Sequence, residues 1–502
     1  MKNTRILSAI LAMLIIISAF AGCGGKDEPR QTVEVTDAVT TVAEETTPAD
    51  LRANFKDSLP SDINLNGALI RFTARNGDVD TASEFFAESM NGEVVNDAVY
   101  ERNLKVEERL NCNIEYIPQN VNCHGGFGSV VTKSVTSGSD DYDIVANMMY
   151  DNMSLVLRGF YLDLNSLSYL DFDMPWWNRA FHDVIEYNGR VYSSIGELAQ
   201  TVISGTFVMF FDRTAFELLH PDEQSVYTTV DEGGWTLDKL IYYCSTVYSD
   251  LNGNGEADEG DRYGHFFTNT QTLGADSFTG GCNIKLVDKL DDGSYVYNGV
   301  SERAISFCEK MYELLFLNNN TCRLPYNNED IMKTMVNGET IFTTWMLSGV
   351  NYLRDMENDF GIIPMPKLDE LQESYTVYTH DGSTAFSIPI TCKNPEDTAA
   401  VLEALAAETY RTTTPAYLDT ALKGKYSRDA ETARMLDVII DGIYPDLGYI
   451  YGNNLGSPIG IMRRIFASAS ACEKAASTLA SNESAILKKM DKIISQYEEI
   501  QP

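Results

Sequence analysis

Between Asp250 and Asp261 the chain reads Asp250-Leu251-Asn252-Gly253-Asn254-Gly255-Glu256-Ala257-Asp258-Glu259-Gly260-Asp261. Oxygen-bearing side chains fall at positions 1, 3, 5, 9 and 12 of this stretch, and a glycine falls at position 6. A calcium ion takes six to eight hard oxygens, and this spacing wraps them around one point, with the glycine making the sharp turn. Position 7 offers its backbone carbonyl, here that of Glu256. The expected ligand set for a structural Ca2+ is therefore Asp250, Asn252, Asn254, Glu256, Asp258 and Asp261. Asp261 stands where such loops usually place a bidentate glutamate, and its shorter side chain weakens that ligand. Tyr242 to Tyr248 reads as an entering helix and Arg262 to Phe266 as a departing strand, which favours a lone structural loop over a sensor. The competing reading is an acidic Gly/Asn turn that holds no metal.

Signatures of catalysis are scarce. The five histidines, His124, His182, His220, His265 and His380, form no tight metal pair. There is no GxSxG elbow and no phosphate-binding loop; Gly125-Gly126-Phe127-Gly128 lacks the Lys and Ser/Thr of one and reads as a flexible loop. A carboxylate pair could act on glycosidic bonds, but no spacing singles one out among 73 acidic residues. The expectation is a protein that is not an enzyme. Trp176 and Trp177 are adjacent, and Trp235 and Trp345 complete the set. Indole faces suit the C–H faces of sugar rings, and equally suit core packing.

The elements around these residues alternate. Leu69 to Thr73 reads as a strand and Asn96 to Leu110 as a helix, with Val99, Val106 and Leu110 on one face. Ile114 to Ile117 and Tyr142 to Val145 read as further strands. Strand–helix–strand order predicts α/β units around a largely parallel sheet. Near the C-terminus Ile486, Leu487, Met490, Ile493, Ile494 and Tyr497 repeat at helical spacing, with Asn482 in place to cap the helix.

At 502 residues with ordinary apolar and charged fractions, two or more globular domains are expected. The formal charge of −35 repels nucleic acid and anionic lipid, and argues against an anionic ligand. Lys2 and Arg5 precede an apolar run from Ile6 to Phe20, followed by Ala21-Gly22-Cys23, the pattern of a secretory signal. Cys23 directly after small residues resembles a bacterial lipoprotein signal, which implies cleavage after residue 22 and lipidation of Cys23. The competing reading, a single spanning anchor, needs roughly 20 apolar residues. Residues 23–56 form the lipidated cysteine and a Thr-rich, acidic, aperiodic linker of the kind that stays disordered. Of the nine cysteines, Cys112 and Cys123 are close in sequence, as are Cys308 and Cys322. Disulfides and buried free thiols are both open readings.

Several phrases in order resemble the extracellular solute-binding proteins of carbohydrate ABC transporters, a maltose-binding-protein-like family. They are Tyr142-Asp143-Ile144-Val145, Gly159 to Leu164, Pro175-Trp176-Trp177-Asn178, Tyr187 to Tyr192, Gly234-Trp235-Thr236-Leu237, Phe360 to Lys367 and Ala385-Phe386-Ser387-Ile388. The resemblance implies an α/β, two-lobe periplasmic-binding-protein-like fold with hinge crossovers and a ligand cleft between the lobes. Lobe one would hold 57–205 plus 383–435, and lobe two 206–382 plus 436–502. The crossings would fall near Ile203-Ser204-Gly205 and Asp381-Gly382-Ser383. Carried onto this chain, the family's ligand contacts imply Tyr150, Asp151, Trp176, Trp177, Glu197, Trp345 and Asp381. The implied function is a monomeric receptor, lipid-anchored on the outside of the cell membrane, that delivers a sugar or oligosaccharide to a transporter permease. A secreted glycan-active enzyme and a surface adhesion lipoprotein are the alternatives.

Overall fold

The computed structural model describes residues 52–76, 82–122, 124–268, 272–290, 293–323, 328–418 and 430–500. Cys23, Cys123 and the expected signal lie outside them.

Strand β1 (Ala68–Arg75) opens the folded part. Helix α1 (Val94–Leu110) follows, capped by the Glu93 carboxylate, which accepts the amides of Val95 and Asn96. The helix buries Val99, Val106 and Leu110 and stops at Asn111, whose φ of 49° is left-handed. Strand β2 (Cys112–Gln119) then returns parallel to β1. Helix α2 (Gly126–Thr136), strand β3 (Ile144–Met148) and helix α3 (Met149–Val156) complete the first run. Gly125 to Gly128 is thus a helix start rather than a loop: Phe127 is buried, and that apolar anchor draws the glycines into the helix.

The chain next builds β4 (Phe207–Asp212), α4 (Leu237–Cys244), β5 (Tyr263–Phe266) and α5 (Thr272–Gly281). A short hairpin of β6 (Val287–Lys289) and β7 (Tyr295–Tyr297) leads to α6 (Glu302–Phe316), β8 (Thr321–Cys322), β9 (Thr340–Met346) and β10 (Phe360–Ile363). It then returns to the first sheet with β11 (Thr384–Ser387) and α7 (Pro395–Glu408), and ends in α8 (Ala430–Asp441), α9 (Pro458–Ile465) and α10 (Ala475–Glu499).

Two mixed sheets result, ordered β11-β3-β1-β2 and β10-β4-β9-β5-β8. The expected parallel pairing holds for β2-β1-β3, but β11 is antiparallel to β3. In the second sheet β4 runs antiparallel to both neighbours. Both antiparallel strands, β4 and β11, directly follow a crossing from one sheet to the other. Phe72 and Ala74 of β1 and Phe210 and Phe342 of the second sheet are buried, and β3, β4, β5, β10 and β11 are buried at every position, whereas the edge strand β2 is exposed at Asn113, Glu115 and Pro118. The fully buried strands are covered on both faces, which is why they read as apolar runs.

The crossings lie side by side. Thr206 bridges Thr379, the Phe207 amide donates to the Tyr378 carbonyl at 3.0 Å, and the His380 amide donates to the Gly205 carbonyl at 2.9 Å. Beside them Val377 pairs with Ile443, and the Tyr444 amide donates to the Val377 carbonyl at 2.9 Å. Helix α8 belongs with the second sheet: it packs against β10, and Thr432 and Arg434 bond Tyr227 and Asp231. Residues 430–435 therefore leave the first lobe, to which the sequence assigned them, because the buried Met435, Leu436 and Ile439 find their cover on the other side. The C-terminal helix starts at Ala475, not at Asn482; Asn482 lies inside it and donates to the Thr478 carbonyl at 2.7 Å. Ile486, Met490, Ile493 and Tyr497 form its buried stripe, as their spacing predicts. Among the described residues Cys112, Cys244, Cys282, Cys308, Cys322, Cys392 and Cys472 are buried free thiols, and no helix is long and apolar enough to cross a membrane.

Candidate ligand cleft

A cavity of about 290 Å³ opens where the crossings meet the strand ends. The first sheet contributes Arg75 and Met148, the last residues of β1 and β3. The second contributes Met346, the last residue of β9, and Ser348 just beyond it. Thr201, Ser204, Gly205, His380, Gly382 and Ser383 form the floor, and His124 stands at the rim. Ligand crevices in α/β sheets form at the carboxyl ends of strands, where the chain changes direction.

The floor is held by its own hydrogen bonds. Ser383 Oγ donates to the Thr201 carbonyl at 2.9 Å and lies 2.7 Å from Thr379 Oγ1. Thr201 gives both its amide and its hydroxyl to the Glu84 carboxylate, at 2.9 and 2.8 Å. Arg75 Nη2 donates to the Gly382 carbonyl, placing a buried guanidinium at the cavity wall. Burial pushes the Glu84 carboxyl up to about 7, against the pull of Thr201, Arg75 and Arg102. Burial also lowers His380, while the neighbouring Asp381 carboxylate raises it. What the cavity offers chemically is hydroxyls, two imidazoles, one guanidinium and two thioether chains.

The residues expected to touch ligand are distributed differently. Tyr150 is half-buried behind β3, and its amide donates to the Asp381 carbonyl. Asp151 accepts the Gly125 amide at 2.7 Å and Asn453 Nδ2 at 3.3 Å, fastening α2 rather than facing the cavity. Asp381 is buried, and its amide donates to Tyr449 Oη at 3.1 Å. Trp345 is buried with its ring against Gly349, while the next residue, Met346, lines the cavity. Alternation along β9 accounts for this: successive side chains take opposite faces.

Trp176, Trp177 and Glu197 are brought together, but elsewhere. They line a second cavity of about 300 Å³ beside Ile203, Tyr410 and Ile443. Both indoles are buried and donate to one carboxylate, that of Glu403, at 3.1 and 2.9 Å. Arg52 Nη1 donates to both carboxylate oxygens of Glu197, at 2.9 and 2.8 Å. Among the described residues that line the first cavity there is no Trp, Tyr or Phe. The sequence reading missed Arg75, Met148 and Met346 because it ended those strands early or valued the ring beside the lining residue. An ionisable residue closing an apolar strand was the available signal for Arg75.

The acidic loop closes around its own backbone. Asp250 Oδ1 accepts the Gly253 amide at 2.6 Å and Oδ2 the Gly255 amide at 2.8 Å. Asp261 accepts the amides of Leu251 and Asp258. The side-chain amides of Asn252 and Asn254 converge on the Asp258 carboxylate at 2.7 and 2.6 Å. Gly253 and Gly255 take φ values of 73° and 80°, open to glycine without strain. The turn therefore has the tight form that a calcium loop needs. Among the described residues no group of three or more His, Cys, Asp or Glu side chains is gathered as a metal cluster.

No protein-family model and no curated protein matches the chain. Solved structures do. The galacto-N-biose/lacto-N-biose I-binding protein of the ABC transporter from Bifidobacterium longum superposes with a TM-score of 0.56 at 12% identity, over 86% of this chain and 98% of its own. This is the fold of the ABC-transporter solute-binding proteins. A cyclic alpha-maltosyl-1,6-maltose binding protein from Arthrobacter globiformis gives 0.56 at 14%, over 85% of this chain and 100% of its own. UgpB from Mycobacterium tuberculosis, solved with glycerophosphocholine, gives 0.54 at 14%, over the same shares. The α/β fold expected from the sequence is the one found, with a sheet in each of its two lobes.

Proposed function

We propose that this chain is an extracellular solute receptor that captures a sugar or oligosaccharide and hands it to an ABC transporter permease. The observation that carries the reading is the cavity at the crossings, walled by strand ends of both sheets in the solute-binding-protein fold. A ligand seated there contacts both lobes at once and so stabilises whichever arrangement brings them together. No chemistry on the ligand is required, and the neighbours from Bifidobacterium longum and Arthrobacter globiformis are binding proteins. Lipidation at Cys23, a stalk from residue 24 up to Arg52, which the contact with Glu197 ties to the folded part, a monomeric state and a structural Ca2+ in the 250–261 loop complete the proposal. They rest on the sequence pattern and, for calcium, on the tight turn.

Saturable binding of mono- or oligosaccharides, read as a rise in melting temperature without consumption of the sugar, tests the receptor role. A ligand at about 100 times its Kd adds about 2.7 kcal/mol. Turnover of the sugar would contradict it. For the anchor, labelling with a fatty-acid analogue should be lost in Cys23→Ala. For calcium, melts with the ion and with chelator should differ; superimposable melts would reduce the loop to a turn.

A further inference from the structure

The cleft carries a chemical bias that its surroundings conceal. The protein is acidic as a whole, with a formal charge of −35, yet the side chains lining the first cavity include one guanidinium and two imidazoles and no carboxylate. Arg75 is 2% exposed and reaches the cavity wall at Gly382. The Glu84 carboxylate feels both Arg75 and a second buried arginine, Arg102, which Glu408 also faces. Asp381 stands behind His380, its Oδ1 3.4 Å from His380 Nδ1, and faces Arg463, which Asp276 engages at 2.8 and 2.6 Å. A fixed cation away from water acts far more strongly on a ligand than the distant, screened surface charge does. Around Arg75 stand the hydroxyls of Thr201, Ser204 and Ser348, while Met148 and Met346 give apolar walls.

Resting on the receptor reading above, we propose that the solute carries an oxyanion, a phosphate or carboxylate, held by Arg75 with His124 and His380, its carbon skeleton lying between Met148 and Met346. Arginine meets such groups with paired N–H donors in a planar fork. The absence of Trp, Tyr and Phe from the described lining fits this mode better than the stacking of a neutral sugar ring. The formal charge, taken alone, argued the other way; the field inside a cleft is set by the residues that line it.

The test follows the imidazole resonances of the five histidines in the purified protein, assigned with His124→Gln and His380→Gln. Glucose, glucose 6-phosphate, glucuronate and inorganic phosphate are titrated at constant ionic strength. Charged probes should shift the His124 and His380 signals saturably and leave His182, His220 and His265 in place. Preference between glucose 6-phosphate and glucuronate assigns the oxyanion. Arg75→Gln should weaken the charged probes by about tenfold or more, as loss of a charge-assisted bond implies, with partial rescue by Arg75→Lys. Should Arg75→Gln fail to fold, the exposed His124→Gln serves, with a smaller loss confined to the charged probes. Glucose shifting the same signals as tightly as glucose 6-phosphate, or charged-probe affinity unchanged in Arg75→Gln, would overturn the oxyanion proposal while leaving a receptor for neutral sugars standing. Silence of both signals towards all charged probes would overturn it too, and the receptor reading would then be decided by neutral oligosaccharides alone.

Discussion

At the level of single residues, Glu403 shows how a buried acid can organise aromatic side chains. Trp indoles only donate, so two adjacent buried tryptophans need acceptors. Glu403 supplies both, and burial still pushes its carboxyl up to about 8 against those donors. A carboxyl raised in the folded state holds its proton there longer than in the unfolded chain. The stability it contributes is complete below its ordinary pKa of 4.5 and is lost as pH rises through about 8. Glu84, Asp276 and Asp446, each raised to about 7 by burial, act in the same direction. Buried His182 and His265, lowered to about 3, act the other way up to their ordinary 6.5, so the melting temperature should fall from about pH 6.5 towards pH 8, and Glu403→Gln should flatten part of that slope. An unchanged slope would mean that the carboxyl is ionised throughout. Trp345→Ala should cost about 3–5 kcal/mol in denaturant unfolding, the cost of emptying a packed aromatic site. A loss of ligand binding with stability intact would instead return that ring to the cleft.

Among the elements, what could be read in advance followed periodicity. Helix α1 and the stripe of α10 were visible because their apolar residues recur at helical spacing and bury as a face. Strands β1, β2 and β3 were visible as short apolar runs. What escaped was decided by partners distant in sequence. Helix α8 chose the second sheet through contacts with β10 and Tyr227, and no local pattern announces such a choice. The antiparallel strands after the crossings were hidden for the same reason. The cleft was half legible: the crossings were marked by glycine, yet Met148 and Met346 line it one or two positions away from the chosen Tyr150 and Trp345. Gly205 is needed there for room, not for an unusual φ. A Cβ at this position would stand 2.6 Å from the Thr201 carbonyl oxygen and 3.2 Å from Ser383 Oγ. Gly205→Ala should cost about 1–3 kcal/mol through forced backbone shifts and weaken ligand binding with it; a fully stable, fully binding variant would show that the crossing yields freely.

Across the whole molecule, two α/β lobes share adjacent crossings, and the cavity sits where their strand ends meet. That placement lets one small ligand report on the relation between two large bodies, since it touches both only when they are arranged around it. It also separates the ligand site from the tryptophan cavity near Ile443, which is built from buried, hydrogen-bonded side chains. The most direct test is a calorimetric titration of the ligand found by the melting screen against the protein and against Ser204→Trp, which fills the first cavity from its half-buried floor. One saturable site is expected in the protein and its loss in Ser204→Trp, with the variant's melting temperature within about 2 °C of the parent, as for a change away from the packed core. Undiminished binding in a folded Ser204→Trp would contradict it, because the ligand would then lie outside the cleft between the lobes.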